Sequence, residues 1–267
     1  MNFELKLIMF LGRYLPQLPH MSAIINRLLK PFYLRKKREE VTVGVFDFKM
    51  KLNPDECVDG NLLFCPQLYD YKEVSFLKEN LLPGSCFIDI GAYIGFYSLI
   101  ASRLVGDSGR VIAVEADLYN YNKLIENIEI NSMMNIKAVN VGISNQREVL
   151  KIGLNLKGNR GGNSFFVEKE DGIDVLCIPL KEMLLDIDKN ITRIDGVKID
   201  IEGFEFRVLD KFFKEINFDL YPKFIIVEHL EEWITKAGGN TIEFLITKGY
   251  KIHDKSRYNY IMVWGNN

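Results

Sequence analysis

Asp89-Ile90-Gly91-Ala92-Tyr93-Ile94-Gly95 sets a carboxylate just ahead of two glycines. The apolar, β-branched stretch before it, from Cys86, has the character of a strand, and Phe96 to Leu104 has that of a helix. Strand, glycine turn and helix open a nucleotide-binding α/β unit. Glycine admits positive φ and lets a ligand approach the backbone. The acid discriminates among ligands. A dinucleotide pyrophosphate would be repelled by Asp89, whereas the ammonium and sulfonium of S-adenosylmethionine would be attracted. Asp89, Gly91, Ala92, Tyr93 and Gly95 are therefore expected to line a site for that cofactor. The plainer alternative is a glycine turn that only packs helix on strand.

Acids recur at the ends of later strands, where open α/β sheets bind ligands. Glu115 follows the second strand, about two dozen residues after Gly91, where an acid can accept hydrogen bonds from ribose hydroxyls. Ala116 beside it, and Val141-Gly142 after the third strand, extend the expected cofactor wall. Lys198, Asp200 and Glu202 share strand parity, so they point to one face. Buried without partners they would cost roughly several kcal/mol, so they must pair or face a cleft. Glu228-His229 ends the fifth strand. Methyl transfer to an alcohol requires alignment and a base. Of the three histidines, His20, His229 and His253, only His229 follows a central strand at that edge. Its neutral form is available at pH 7. His229 is thus the first candidate base, Asp200 and Glu202 are the alternatives, and Lys198 completes the catalytic set. A divalent ion on Asp200, Glu202 and Glu228 would suit hard-cation chemistry. Nothing in the sequence requires one, and no metal ligand is assigned.

The elements that hold these residues alternate in type. Val41 to Leu52 alternates as a hairpin, with Gly44 a candidate bulge. Asn61 to Leu82 reads as a loop followed by a helix carrying Val74, Leu77 and Leu81 on one face. From Cys86, strands at 86–90, 110–114, 136–141, 194–201 and 223–228 alternate with helices at 95–105, 117–131, 205–213 and within 231–248. Asp117 caps the second of these helices. Short strand candidates at 148–152, 164–167 and 174–178 interrupt the rhythm around a Gly/Asn-rich loop, 153–163. Two last strands, 250–253 and 259–264, are joined too tightly to be parallel. The pattern predicts an α/β fold, a mainly parallel sheet flanked by helices with an antiparallel edge.

The chain of 267 residues divides into a basic extension, 1–40, and a domain, 41–267. The extension has eight basic and three acidic residues, a net +5, which leaves −7 for the domain. It contains two short apolar helical patterns, Leu5 to Tyr14 and Ser22 to Leu29, ended by prolines. A helical cap on the domain is the favoured expectation; contact with an anionic membrane surface is the alternative. A net charge of −2 gives no basic balance for nucleic acid. Cys57, Cys65, Cys86 and Cys177 form no close pair, which fits free thiols in a reducing, cytoplasmic compartment. No uncharged apolar run reaches the length of a membrane span.

FIDIGAYIGFYSL, AVEAD, VNVGIS, VKIDIEGFEFRVL and IIVEH, in that order, resemble the FkbM family of S-adenosylmethionine-dependent methyltransferases. The resemblance spans roughly residues 45 to 230 and leaves 1–40 untouched. It implies a class I methyltransferase, Rossmann-like fold and O-methylation of a hydroxyl on a sugar or other natural product. It also implies that Glu73, with Tyr69, lies near the cofactor. Two positions depart from the family pattern: Tyr93 stands where Asn is usual, and Leu180-Lys181 where Leu-Asp is common. A small-molecule or glycan acceptor is the expected partner. The competing functions are an NAD-dependent oxidoreductase, disfavoured by the glycine order and by Asp89, and a non-catalytic binding module on the same fold.

Overall fold

A computed structural model describes residues 9–10, 12–13, 39–155, 160–164, 172–189 and 191–265. An antiparallel hairpin, β1 (Val41–Val45) and β2 (Phe48–Leu52), leads to α1 (Cys57–Phe64) and α2 (Tyr71–Asn80). The α/β succession then runs β3 (Cys86–Ile90), α3 (Phe96–Val105), β4 (Arg110–Val114), α4 (Leu118–Ile130) and β5 (Ile136–Val139). A small sheet follows, β6 (Gly142–Ser144), β7 (Glu148–Ile152) and β8 (Ile173–Pro179). The chain continues through α5 (Leu180–Ile187), β9 (Gly196–Ile199), α6 (Glu205–Glu215), β10 (Phe224–Glu228), α7 (Ile234–Ala237), α8 (Thr241–Thr247), β11 (Tyr250–Lys255) and β12 (Asn259–Trp264).

The main sheet has seven strands in the order β11-β12-β10-β9-β3-β4-β5. β10, β9, β3, β4 and β5 are parallel, while β12 runs antiparallel to both β10 and β11. This is the mainly parallel sheet with an antiparallel edge that the alternation predicted. Strand succession moves outward from β3 to β5 and then returns to β9 on the other side of β3. The crevice between β3 and β9 is therefore the switch point where such sheets bind ligands.

The pleat splits the core in two. Phe87, Val111, Ala113, Phe224 and Ile226 face one side, with the hairpin and helices α1–α4. Ile88, Ile90, Ile112, Val114, Val197, Ile199, Ile225 and Val227 face the other, with α5, α6 and α8. Both faces are covered, which explains why β3, β4 and β10 read as continuous apolar runs rather than alternating ones.

Several local expectations are corrected. Gly44 pairs in register with Lys49, so the hairpin has no bulge there. Cys57–Phe64 is a helix; its Leu62, Leu63 and Phe64 are all fully buried, so no amphipathic period marks it. The third strand stops at Val139 because Asn140 leaves the ladder and donates its side-chain amide to the Glu115 carbonyl at 2.9 Å. The 231–248 helix is divided near Gly238-Gly239, and Asn240 caps the second part. Of the 164–167 strand candidate, Ser164 forms a single bridge with Gly153, and the rest lies outside the described residues. Cys65, Cys86 and Cys177 are buried free thiols, while Cys57 is exposed.

The described part of the extension packs on α1. Met9 is buried in the core, the Gln67 amide donates to the Gly12 carbonyl at 2.8 Å, and a Cβ on Gly12 would lie 2.3 Å from the Phe64 carbonyl oxygen. The Ser22 to Leu29 pattern lies outside the described residues. No helix among the described residues is long and apolar enough to cross a membrane.

Candidate active site

The glycine turn closes on the loop after β9. Gly91 has φ +78°, and a Cβ there would sit 1.9 Å from the Asp200 carbonyl oxygen. Glycine is thus required by the approach of two loops across the switch point as well as by the turn. Tyr93 takes a left-handed conformation, φ 51°. It is held by its N–H donating to Glu115 at 2.8 Å and its hydroxyl donating to Asp59 at 3.0 Å. The tyrosine at this atypical position therefore ties the turn to α1.

A smaller cavity runs from the turn after β9, with Asp200 and Glu202, to the β4–β5 side, where Glu115, Ala116, Asn120, Val141, Gly142 and the Arg160–Asn163 segment line it. Glu115 accepts from Tyr93 N–H with one oxygen and from Asp117 N–H, at 2.9 Å, with the other. Burial raises its pKa to about 7 against the pull of those donors. The segment from the Gly/Asn-rich loop is strapped over this cavity. The Arg160 guanidinium stacks 4.1 Å from the Tyr119 ring and pairs with Asp117 at 3.3 Å, and the Asn163 amide donates to Asp117 at 3.0 Å. The Asn120 amide nitrogen donates to the Arg160 carbonyl at 3.3 Å, which leaves Asn120 Oδ1 a buried acceptor without a partner.

A larger cavity of about 400 Å³ opens on the β9–β10–β12 side. Asp89, Gly91, Ala92, Tyr93, Lys198, Asp200, Glu202 and Glu228 all reach it. Asp89 and Lys198 are cross-strand neighbours on one sheet face. The Lys198 ammonium pairs with Asp200 at 2.8 Å and lies 4.9 Å over the Tyr97 ring. Burial alone would lower its pKa, but Asp200 and Asp89 raise it above the ordinary value, so Lys198 stays a cation. Asp200, Glu202 and Glu228 bring carboxylate oxygens within 4.8 Å of one another. Burial, and then the charges of Asp200 and Glu202, push the Glu228 pKa far above the usual carboxylate range. Glu202 is presented by a turn with φ 52°, and Glu205 holds that turn by accepting from Ile201 N–H at 2.9 Å and Gly203 N–H at 3.2 Å.

A model of the methyltransferase FkbM domain matches residues 89–252, which span the glycine turn, both cavities' acids and β10. The chain belongs to the FkbM methyltransferase family. Methyltransferase sdnD of Sordaria araneosa is 28% identical over 218 residues, covering 68% of this chain and 81% of that protein. Among solved structures, an FkbM methyltransferase from Methylobacillus flagellatus matches with a TM-score of 0.45 at 17% identity, over 78% of this chain and 52% of that one. A precorrin-6y C5,15-methyltransferase from Geobacter metallireducens matches with a TM-score of 0.44 at 17% identity, over 73% and 89%.

As an FkbM-family methyltransferase with the class I, Rossmann-like fold, the protein uses S-adenosylmethionine, whose sulfonium supplies an activated methyl group. The residues present fit that cofactor. Asp89 is 1% exposed; one oxygen accepts from Ser98 at 2.6 Å, and the other is a buried acceptor without a partner, suited to an ammonium. Asn120 Oδ1, in the smaller cavity, suits an exocyclic amine. Glu115 keeps lone pairs for ribose hydroxyls beside its backbone donors.

Three expected site residues fall elsewhere. Gly95 does not line either cavity: at φ +94° it heads α3, and a Cβ would meet Leu124 at 2.6 Å, so it serves helix packing. Glu73 is fully buried and lines neither cavity, accepting from the Ser256 hydroxyl at 2.5 Å. His229 lines neither cavity. Glu228 shares strand parity with Phe224 and Ile226 and faces the site; His229, one residue on, packs its ring edge-on to Tyr260 at 5.6 Å. Its N–H donates to the Tyr258 carbonyl at 2.8 Å. Arg160 and Asn163 belong to the 153–163 loop, whereas Asn120 and Glu205 are not foreseen as site members. Glu205 sits three residues after Glu202, a spacing at which a side chain can reach back to turn N–H groups, and that signal was available.

Proposed function

We propose that this methyltransferase acts on a hydroxyl of a sugar or other small natural product, and that a carboxylate of the Asp200, Glu202 and Glu228 group takes the hydroxyl proton. One observation carries the reading: three carboxylates converge within 4.8 Å on the larger cavity, beside Asp89 and the glycine turn. An alcohol becomes a competent nucleophile only as a base removes its proton. Burial beside the charges of Asp200 and Glu202 favours the neutral, protonated form of Glu228, so the hydroxyl proton goes to Asp200 or Glu202. Lys198 fixes Asp200 and offsets part of the negative charge. The acidic wall also disfavours nucleic acid as the acceptor.

The test is methyl transfer to a panel of hydroxylated sugars and natural products, read by mass. Asp200→Asn and Glu202→Gln should lower kcat, the more important base by about 10²–10⁴. His229→Ala should stay close to wild type, and a chelator should leave the rate unchanged. Full activity in both carboxylate variants, or loss only in His229→Ala, would return the base to the histidine. Loss on chelation, restored by magnesium, would instead make the three acids metal ligands. Cofactor binding with no turnover on any acceptor would favour a binding module.

A further inference from the structure

We propose that the methyl acceptor carries an anionic group, phosphate or carboxylate, and that Arg257 binds it. The proposal rests on the reading that the larger cavity takes the acceptor. Arg257 stands on the short turn between β11 and β12 and lines that cavity together with Tyr258, Asn259 and Glu228. The other cation on the cavity wall, Lys198, is buried and paired with Asp200. Nearby Lys72 is paired with Asp254, and the Lys255 ammonium donates to the Tyr260 hydroxyl. Arg257 lies 4.8 Å over the Tyr258 ring and, among the described residues, has no carboxylate partner. An exposed arginine beside so acidic a wall, paired with none of its acids, is available to a ligand. Its planar fork matches phosphate or carboxylate in two parallel hydrogen bonds.

The turn is held in place. The Ser256 hydroxyl donates to Glu73 at 2.5 Å, the Ser256 N–H donates to the Asn259 carbonyl at 2.9 Å, and the Lys72 ammonium donates to the Lys255 carbonyl at 2.9 Å. The Tyr258 carbonyl accepts from His229 N–H at 2.8 Å. Glu73 and His229 thus help to position this turn. A preset arginine backbone lowers the ordering cost of binding.

Position in the sheet separates this arginine from the cofactor. Asn259 pairs with Glu228, and β12 lies three strands from β3. At about 4.8 Å per strand that is about 14 Å from the glycine turn. Glu115, at the end of β4, lies on the opposite side of β3. The anion on Arg257 therefore belongs to the acceptor, with the reacting hydroxyl directed to the acids between.

The experiment uses the full chain saturated with adenosylhomocysteine and labelled with ¹⁵N-arginine. Arg257 Nε–H is identified by its loss in Arg257→Lys and is followed while phosphate, acetate or glycerol is added. Saturable shifts with phosphate or acetate, at least about fivefold tighter than at exposed Arg103 and absent with glycerol, are expected. The stronger anion tells a phosphoryl acceptor from a carboxylate one. Arg257→Ala should keep adenosylhomocysteine affinity within about twofold. No saturable shift at Arg257, or one no tighter than at Arg103, overturns the proposal. So does a loss of about tenfold or more in adenosylhomocysteine affinity in Arg257→Ala, which would give the arginine to the cofactor's own carboxylate. Failure of the unmutated chain to bind adenosylhomocysteine would sink the cofactor reading itself, and this proposal with it.

Discussion

Asp89 and Glu115 illustrate how burial turns a carboxylate into a binding group. Asp89 keeps one oxygen buried without a partner. Burial raises its pKa, and Lys198 lowers it in part. Asp89→Asn should weaken adenosylhomocysteine binding by roughly 1–3 kcal/mol, the range for a hydrogen bond to a charged group. Calorimetry measures it, and unchanged affinity would remove Asp89 from the ammonium site. Glu115 has an ordinary pKa of 4.5 and one of about 7 when folded. A carboxyl whose pKa is raised by folding stabilises the native state fully below its unfolded pKa. It gives that stability up as pH rises through the folded value. Between pH 4.5 and 7.5 the free protein should therefore lose stability that Glu115→Gln does not, on the order of 3 kcal/mol at about 1.4 kcal/mol per pH unit. Denaturant melts at the two pH values test this, and parallel behaviour of the two proteins would refute it. Asp59, Asp70 and Glu205, each also pushed to about 7 by burial, add to the same trend.

At the scale of elements, two turns make the site, one after β3 and one after β9. They touch at Gly91 and Asp200. Gly91→Ala meets both a left-handed φ and a backbone oxygen that cannot move aside without displacing Asp200. It should cost about 2 kcal/mol or more of stability and should abolish adenosylhomocysteine binding. A variant that binds normally would show that the loops have slack. The β9 turn is set by Glu205, whose side chain holds the backbone that presents Glu202. The strap at Arg160 ties the smaller cavity to α4 through Asp117 and Tyr119.

At the scale of the molecule, Met9 of the extension and the hairpin pack on the face of the sheet that carries Asp89, Lys198 and Glu228. Met9 enters the same core as Phe64 and Leu77. Removing residues 1–38 should lower the melting temperature by exposing this surface. Loss of anionic-vesicle binding at unchanged stability would instead assign the segment to a membrane surface. Truncation and melting, with vesicle flotation as the second readout, distinguish the two.

The sequence by itself determined most of the alternation of strands and helices, the acids at the strand ends and the family, because each rests on local pattern: apolar runs, glycine turns and short motifs. It also determined the face shared by Lys198 and Asp200, since strand parity is local. Parity could equally have separated Glu228 from His229, which lies on the other face of the strand. Tertiary structure alone decided what depends on neighbours distant in the chain. Gly95 packs on Leu124, Glu73 holds the Ser256 turn, Asn120 and Arg160 meet over the smaller cavity, and Arg257 reaches the acids from the sheet's antiparallel edge. Those roles are set by which surfaces fold against one another, and no spacing within a single segment encodes them.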